Sequence, residues 1–281
     1  PGATYLRSWT PHAGDYDPSD AAEFTWKGGK GTNLLGAIKY LSDKGMNAFS
    51  FIPFTIGGDD KNVCPHLLKG TASNPSWSTA VHRDRFDVSR MEQWDRIFAY
   101  GDKKGMYLHF KTLETENELF MDGGNLGPER ILYYRELIAR YGYHLALNWN
   151  LGEEIDNATT AQKQAWSQYF FDTDPYHHNM VIHNGANHYD LLGTASHLTG
   201  FSLQKGVGST VFTATLDYLS RSAAAGVPWV VALDEPGGAD QGIQPDSVDP
   251  MHDSRRGGVI WAHVLAGGAG VESYFGYAVS D

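Results

Sequence analysis

The sequence predicts an α/β fold of the TIM (β/α)8 barrel class, formed as one domain over residues 1–281. Helical and strand patterns alternate along the chain, and the predicted helices end near a glycine before the next strand begins. The length of 281 residues is close to the roughly 250 of one such barrel. A doubly wound open sheet is the alternative, but the glycine-rich run at 28–31 follows no predicted strand and lacks the spacing of a phosphate-binding turn.

The elements follow one another as helix and then strand. In the second predicted helix Met91, Trp94, Ile97 and Phe98 form an apolar stripe, and Pro128 occupies a first-turn position of the third. The predicted helices cover residues 33–44, 90–104, 128–141, 159–171, 209–225 and 253–266. The predicted strands cover residues 47–54, 106–113, 145–151, 180–183, 201–204, 229–233 and 271–277, with one more at or just before residues 1–6. Long polar loops at 55–83, 114–127 and 235–253 follow strands, where barrel enzymes build their pockets.

Charge and composition limit the classes of partner. The chain carries 33 acidic residues against 22 lysines and arginines, a net charge of −11, which argues against nucleic acid and anionic membranes. No run of about 18 apolar residues is present, so we expect no membrane span. The single cysteine, Cys64, excludes an internal disulfide and a cysteine-based metal site, and we expect it to be buried and inert.

Two predicted strands end in paired carboxylates. The run HLALNWNLGEE ends in Glu153 and Glu154, and the run PWVVALDEPG contains Asp234 and Glu235. Strand ends converge on one face of a parallel barrel. Retaining glycosidases need two carboxylates about 5–5.5 Å apart, one as nucleophile and one as acid/base. The two pairs therefore predict a glycoside hydrolase that cleaves a polysaccharide or oligosaccharide and needs no organic cofactor.

Further polar residues at strand ends are candidate contacts for a sugar. Along a regular strand neighbouring side chains alternate, so we expect Asp234 to point to the opposite side from Glu235. His183 is expected to bind substrate hydroxyls or hydrogen-bond the nucleophile, and Trp9 is a candidate platform for a sugar ring. The full set of expected substrate contacts is Arg7, Trp9, His12, His109, Glu114, Glu153, His183, Gln204 and Glu272, with Glu116 as a further acid at the same strand end as Glu114.

The run from Trp149 to Glu154 resembles the W-x-L-x-N-E signature that ends the fourth strand in clan A glycoside hydrolases. The resemblance implies that Glu154 is the acid/base and, from the run LDE, that Glu235 is the nucleophile. Glu153 stands where those families carry an asparagine that binds the sugar 2-hydroxyl, so it is a rival for the acid/base role. A neutral, protonated Glu153 would donate the hydrogen bond that asparagine gives.

The chain from Trp9 to Tyr277 also resembles a family of bacterial secreted polysaccharide hydrolases whose barrel precedes a domain named for collagen binding. Matching runs include KGMNAFSFIPF, LGPERILYYRELIARYG, HLALNWNLGEE and LAGGAGVESYFGY, with departures at Cys64 and His263. This resemblance implies a secreted or periplasmic protein. Because the chain begins at Pro1 without a methionine, we expect a processed or excised piece.

The sequence also leaves alternative hypotheses open. Glu114, His183 and Glu272 could hold a metal in a lyase or hydrolase, and the barrel could bind carbohydrate without catalysis. Asp59 and Asp60 are a weak candidate for Ca²⁺. The pair at 177–178 is expected to close a turn, and the pair at 255–256 is either a solvated helix end or a site for sulfate or uronate groups.

Overall fold

The computed structural model describes residues 16–58, 63–70, 75–184, 186–206, 210–236 and 247–273. These residues form two compact units. The first unit runs to Glu153 and includes Tyr169–His178, and the second comprises Glu154–Gln168 and the described residues from Asn179 onward. The predicted first strand, the candidate sugar contacts Arg7, Trp9 and His12, and the Ca²⁺ candidate Asp59 and Asp60 lie outside the described residues.

The first unit has the predicted alternation of helices and strands, except that its first three strands follow one another without a helix between them. Its helices are α1 (Ala21–Phe24), α2 (Thr32–Asp43), α3 (Val88–Lys103) and α4 (Pro128–Tyr141). Its strands are β1 (Ala48–Phe51), β2 (His66–Leu68), β3 (Val81–Phe86), β4 (Tyr107–Lys111) and β5 (Leu147–Asn150). Short 3₁₀ turns lie at Pro18–Asp20, Thr115–Asn117 and Asp122–Gly124.

The second unit contains further helices and strands, and here too three strands follow one another without an α-helix between them. Helix α5 (Thr160–Thr173) begins in the second unit and ends in the first. The second unit then contains β6 (Asn179–Val181), β7 (His183–Asn184), β8 (Gly200–Lys205), α6 (Thr210–Ala224), β9 (Val230–Pro236), α7 (Asp253–Arg255), a π-helical segment (Arg256–Trp261) and α8 (Ala262–Leu265). Its 3₁₀ turns are Tyr189–Leu191 and Gly193–Ala195.

The first unit is built on a parallel sheet in the order β1-β4-β5. Phe51 pairs with Phe110 and Phe110 with Trp149, so three aromatic side chains lie in register. Their rings are in contact, with centroids 4.5 Å and 5.0 Å apart, and Phe170 packs on Trp149 at 5.3 Å. All four residues of β5 are buried, which fits a central parallel strand that is covered on both faces.

An antiparallel hairpin that was not predicted from the sequence lies at 66–86, mostly within the loop predicted at 55–83. Strands β2 and β3 pair His66 with Phe86 and Leu68 with Val81. His66 is fully buried between aromatic rings, and burial lowers its pKa to about 3. The buried imidazole therefore lies within the hairpin itself. Apolar and polar residues do not alternate regularly along its two strands, so their sequences do not predict strands.

In the second unit β7, β8 and β9 form a parallel sheet. His183 pairs with Ser202, and Ser202 pairs with Ala232. Leu233 of β9 also forms a parallel bridge to Val271, at the beginning of the predicted strand 271–277. The residues that follow from 274 lie outside the described part.

Several sequence predictions can be compared directly with these bounds. Helix α4 has the predicted limits, whereas the predicted helix 253–266 is interrupted by the π-helical segment. Cys64 is 3% exposed, and burial raises its pKa to about 12, as suits an inert thiol. Among the described residues, no helix is both long enough and apolar enough to cross a membrane. The prediction of one domain over 1–281 stays a prediction.

Candidate active site

The two acids near the end of β9, Asp234 and Glu235, lie beside the same side chain. Leu233 pairs with Leu203, but the next pair is Glu235 with Gln204, so Asp234 is an extra residue in a β-bulge. A bulge interrupts the alternation of side chains. The expectation that Asp234 points away from Glu235 is therefore wrong, because both carboxylates lie beside one imidazole, that of His183.

His183 is the centre of this cluster. Its Nε2 lies 3.3 Å from Glu235 Oε2 and 3.5 Å from Asp234 Oδ1. Its Nδ1 accepts a hydrogen bond of 2.9 Å from the backbone N–H of Glu154. The imidazole is fully buried, and it touches both residues that the sequence proposes for catalysis.

These contacts fix the tautomer of His183. A backbone N–H can only donate, so Nδ1 must be the unprotonated nitrogen. In the neutral ring the proton then resides on Nε2, between Asp234 and Glu235. A metal ligand must offer an unprotonated nitrogen, and Nδ1 is already occupied by the Glu154 N–H, so this arrangement argues against the alternative hypothesis of a metal held by Glu114, His183 and Glu272.

Glu154 is held by its backbone and by its side chain. Its φ of 50° lies in the left-handed region, which non-glycine residues adopt uncommonly and which often marks functional sites. This conformation directs the Glu154 N–H at His183, while Ile155 N donates to the His183 carbonyl at 3.2 Å. Gln204 Nε2 donates to Glu154 Oε1 at 2.8 Å, and the carboxyl group is only partly buried.

The neighbouring Glu153 belongs to the first unit and has a different environment. Its Oε1 lies 3.2 Å from Lys111 Nζ, and both side chains are almost completely buried, 8% and 3% exposed. An ammonium at this distance favours the charged carboxylate. The pairing does not support the expectation that Glu153 is a neutral hydrogen-bond donor.

The other first-unit candidates occupy the ends of β4 and β5. His109 Nε2 accepts from Asn150 Nδ2 at 2.9 Å, because Asn150 Oδ1 already accepts from Gly152 N. Glu114 is buried and accepts from Asn117 Nδ2 at 3.3 Å, whereas Glu116 is exposed. The structure therefore separates the two acids that follow β4.

Glu114 also lies tightly against the loop after β1. A Cβ added to Gly58 would stand 1.6 Å from Glu114 Oε1, so only glycine fits there without moving this carboxylate.

The remaining second-unit candidates have clear positions. Glu272 N–H donates to the Leu233 carbonyl at 2.8 Å, and a Glu272 carboxylate oxygen lies within 4.8 Å of one of Asp234. Arg255 is buried and donates to the Pro236 carbonyl, so it is neither a solvated helix end nor a surface site for sulfate. In the first unit, Asp174 accepts from the backbone N–H and Nδ1 of His178, which closes the predicted turn.

Two polar residues beside candidate acids, one in each unit, were not predicted from the sequence as site residues. Ser202 Oγ donates to Asp234 Oδ2, and Lys111 forms the buried pair with Glu153. Ser202 follows the alternation of an ordinary buried strand, so no sequence signal marked it. Lys111 lies on the same predicted strand face as His109. A lysine in a largely apolar strand was the one sequence feature that could have indicated its role.

Solved structures resemble this chain over most of its length. A glycoside hydrolase family 5 protein from Bacteroides vulgatus is 18% identical, with a TM-score of 0.58 over 86% of this chain and 54% of that chain. The endo-1,4-β-mannanase of Rhizomucor miehei is 13% identical, with a TM-score of 0.57 over 90% of this chain and 83% of that chain. An exo-β-1,4-mannosidase from an Opitutaceae bacterium is 12% identical, with a TM-score of 0.58 over 86% and 48%.

These neighbours are clan A proteins of the family 5 type, and the likeness confirms the predicted α/β TIM barrel class. At identities between 12 and 18% it shows the fold alone. The chain spans about half the length of two of these three structures. No family model and no curated protein matches the sequence.

Proposed function

We propose that this chain is a retaining glycoside hydrolase that cleaves a polysaccharide or oligosaccharide, with Glu235 as nucleophile and Glu154 as acid/base. One observation carries the proposal: a single buried imidazole, His183, contacts the backbone of Glu154 through Nδ1 and lies 3.3 Å from the Glu235 carboxylate through Nε2. One residue thereby positions the two acids that a double displacement requires.

The chemistry follows from the roles of these groups. A carboxylate oxygen of Glu235 attacks the anomeric carbon, while Glu154 gives its proton to the departing glycosidic oxygen. Water then attacks the glycosyl ester, Glu154 takes a proton from that water, and Glu235 leaves as a carboxylate. The hydrogen bond from Gln204 fixes one oxygen of Glu154 during both transfers.

The substrate class is also a proposal. Two of the similar structures are named as a β-1,4-mannanase and a β-1,4-mannosidase, which makes β-1,4-mannan the first glycan to assay. Arg7, Trp9 and His12 are proposed as further sugar contacts from the sequence alone. The resemblance to bacterial secreted hydrolases supports a secreted or periplasmic location.

The test compares wild-type protein with Glu235→Gln and Glu116→Gln. A panel of β-1,4-mannan, other β-linked polysaccharides and sulfated marine glycans is assayed for new reducing ends, with the product anomer followed by NMR. The wild type and the exposed-acid control Glu116→Gln are expected to cleave with retention, and Glu235→Gln is expected to lose turnover while it keeps its fold. Full activity of Glu235→Gln, or inversion, would overturn the assignment; glycan binding without cleavage by the wild type would favour a carbohydrate-binding barrel.

A further inference from the structure

Asp234 stands where the retaining mechanism requires no third acid. It is 4% exposed, and the β-bulge at the end of β9 turns it to the same imidazole as Glu235. Ser202, itself buried, donates to its second oxygen, Oδ2. A buried acid beside the same imidazole as a second acid needs an account, because two ionised carboxylates close together repel each other.

His183 cannot relieve this repulsion by taking a second proton. Its Nδ1 is occupied as acceptor by the Glu154 N–H, so protonation there would break that hydrogen bond. The Nε2–H therefore faces two carboxylates, at 3.3 Å from Glu235 and 3.5 Å from Asp234. Both distances exceed the usual range of an N–H···O hydrogen bond, so a small shift of either carboxylate decides which of them receives the proton.

We propose that Asp234 is a positioning residue that acts on Glu235 through His183 and favours formation of the glycosyl ester. This inference rests on the proposed function. In the resting site Asp234 competes with Glu235 for the Nε2–H and repels its charge. When Glu235 bonds to the anomeric carbon and the leaving oxygen takes the proton of Glu154, Glu235 becomes a neutral ester. The repulsion then ends, and the Nε2–H turns to Asp234.

The proposal makes the two chemical steps respond differently to loss of the Asp234 charge. Formation of the ester loses the relief of repulsion and becomes slower. Hydrolysis of the ester regenerates the Glu235 carboxylate, which then receives the whole Nε2–H, so this step keeps its rate or becomes faster. A residue that only maintained the fold would slow both steps together.

The kinetic test uses 2,4-dinitrophenyl β-mannoside, whose good leaving group makes kcat report ester hydrolysis and kcat/KM report ester formation. Asp234→Asn is expected to lower kcat/KM on the order of tenfold or more and to leave kcat unchanged or raised. Ser202→Ala should change kcat/KM in the same direction by less. Asp217→Asn, which removes a partly exposed acid paired with Arg221 in the same unit, is the matched control and should change neither. Equal losses of kcat and kcat/KM in Asp234→Asn would overturn the proposal.

A second readout does not depend on turnover. In protein labelled with ¹⁵N-histidine, the His183 signals, assigned with His183→Gln, should show Nδ1 unprotonated and Nε2 protonated. Asp234→Asn should move the Nε2–H proton resonance upfield, because a charged acceptor becomes a neutral one. An unchanged resonance would overturn the proposal even if the protein cleaves glycans. A shifted resonance in a protein without hydrolase activity would instead keep the His183–Asp234 coupling and overturn the proposed function.

Discussion

Glu153 and Glu154 are neighbours in sequence, yet they have opposite surroundings. Glu153, which belongs to the first unit, pairs with the buried ammonium of Lys111. Glu154, which begins the second unit, has a left-handed backbone, and its partly buried carboxylate accepts from the neutral amide of Gln204. The two residues are of the same type, and they differ in backbone conformation, in burial and in the charge of their partners.

This difference indicates which of the two acids can move a proton. An acid/base must exist in both protonation states during one turnover. A fixed ammonium stabilises only the carboxylate form, whereas an amide donor tolerates both forms. The comparison therefore favours Glu154 as acid/base and assigns Glu153 to a stable ion pair, which the sequence left open.

The largest expected effect is a difference in activity between the Glu154→Gln and Glu153→Gln variants. Glu154→Gln should lower kcat/KM on unactivated glycans by about 10² to 10⁴, because the leaving oxygen loses its proton donor. Substrates with good leaving groups should be affected much less. Glu153→Gln, measured in the same reducing-end assay at the same folded concentration, should retain proton transfer. A larger loss in Glu153→Gln than in Glu154→Gln on both substrate types would reverse the assignment.

The next effect concerns stability and the ion pair. Lys111→Met leaves the Glu153 carboxylate buried without its cation, which should cost about 3–5 kcal/mol of unfolding free energy. The double variant Lys111→Met/Glu153→Gln should recover part of that loss. Urea unfolding of the single and double variants measures the coupling free energy between Lys111 and Glu153. No coupling between the two sites would mean that the pair does not stabilise Glu153.

A smaller effect, on the free energy of unfolding, depends on pH and concerns Asp174. Burial alone would raise the pKa of Asp174, but hydrogen bonds from the His178 side chain and from the His178 and Tyr176 backbones outweigh it and lower the pKa to about 2. The unfolded chain has the ordinary value of 3.8, so this stabilisation is present above about pH 4 and is lost as the pH falls through about 2.

Asp174 also accepts from Trp149 Nε1 at 3.1 Å, which anchors the strand that leads to Glu153. Asp174→Asn should therefore cost about 1–2 kcal/mol at pH 6. Its deficit relative to the wild type should shrink towards pH 2, as measured by urea unfolding at several pH values. A deficit that grows on acidification would contradict the sign of this linkage.

The smallest expected effect tests the neutral partner of Glu154. Gln204→Ala should lower kcat/KM about severalfold, because Glu154 loses one orienting hydrogen bond but keeps its backbone contact to His183. Gln204→Glu, which brings a second carboxylate to the same place, should be more harmful than the alanine variant. Equal activity of all three proteins would show that Gln204 does not orient Glu154.

The fold and the strand ends were predictable because they follow from local patterns. Alternating helix and strand signals located β4, β5, β8 and β9, and Pro128 marked the beginning of α4 at the observed residue. The paired acids were visible because strands that end in carboxylates stand out against apolar runs. These features depend on residues near one another in sequence.

The partners of those acids were not predictable, because they depend on register across the sheet. The bulge at Asp234 appears only when β9 is paired with β8, and the strict alternation assumed for β9 placed this acid on the wrong side. The same holds for Lys111 and Glu153, which lie 42 positions apart in the sequence and meet at neighbouring strand ends. The sequence predicts a polar loop where the hairpin of β2 and β3 begins, because the pairing of these two strands is not visible in a local pattern.

Covalent trapping of the nucleophile shows directly whether Glu235 forms the glycosyl ester. Protein incubated with 2-deoxy-2-fluoro-β-mannosyl fluoride, or with the matching fluorosugar of whichever glycan is cleaved, is digested and its peptides are analysed by mass spectrometry. One fluoroglycosyl group is expected, carried on Glu235, with slow recovery of activity as the ester hydrolyses. A label on Asp234, Glu153 or another residue, or hydrolysis with inversion and no label, would contradict it.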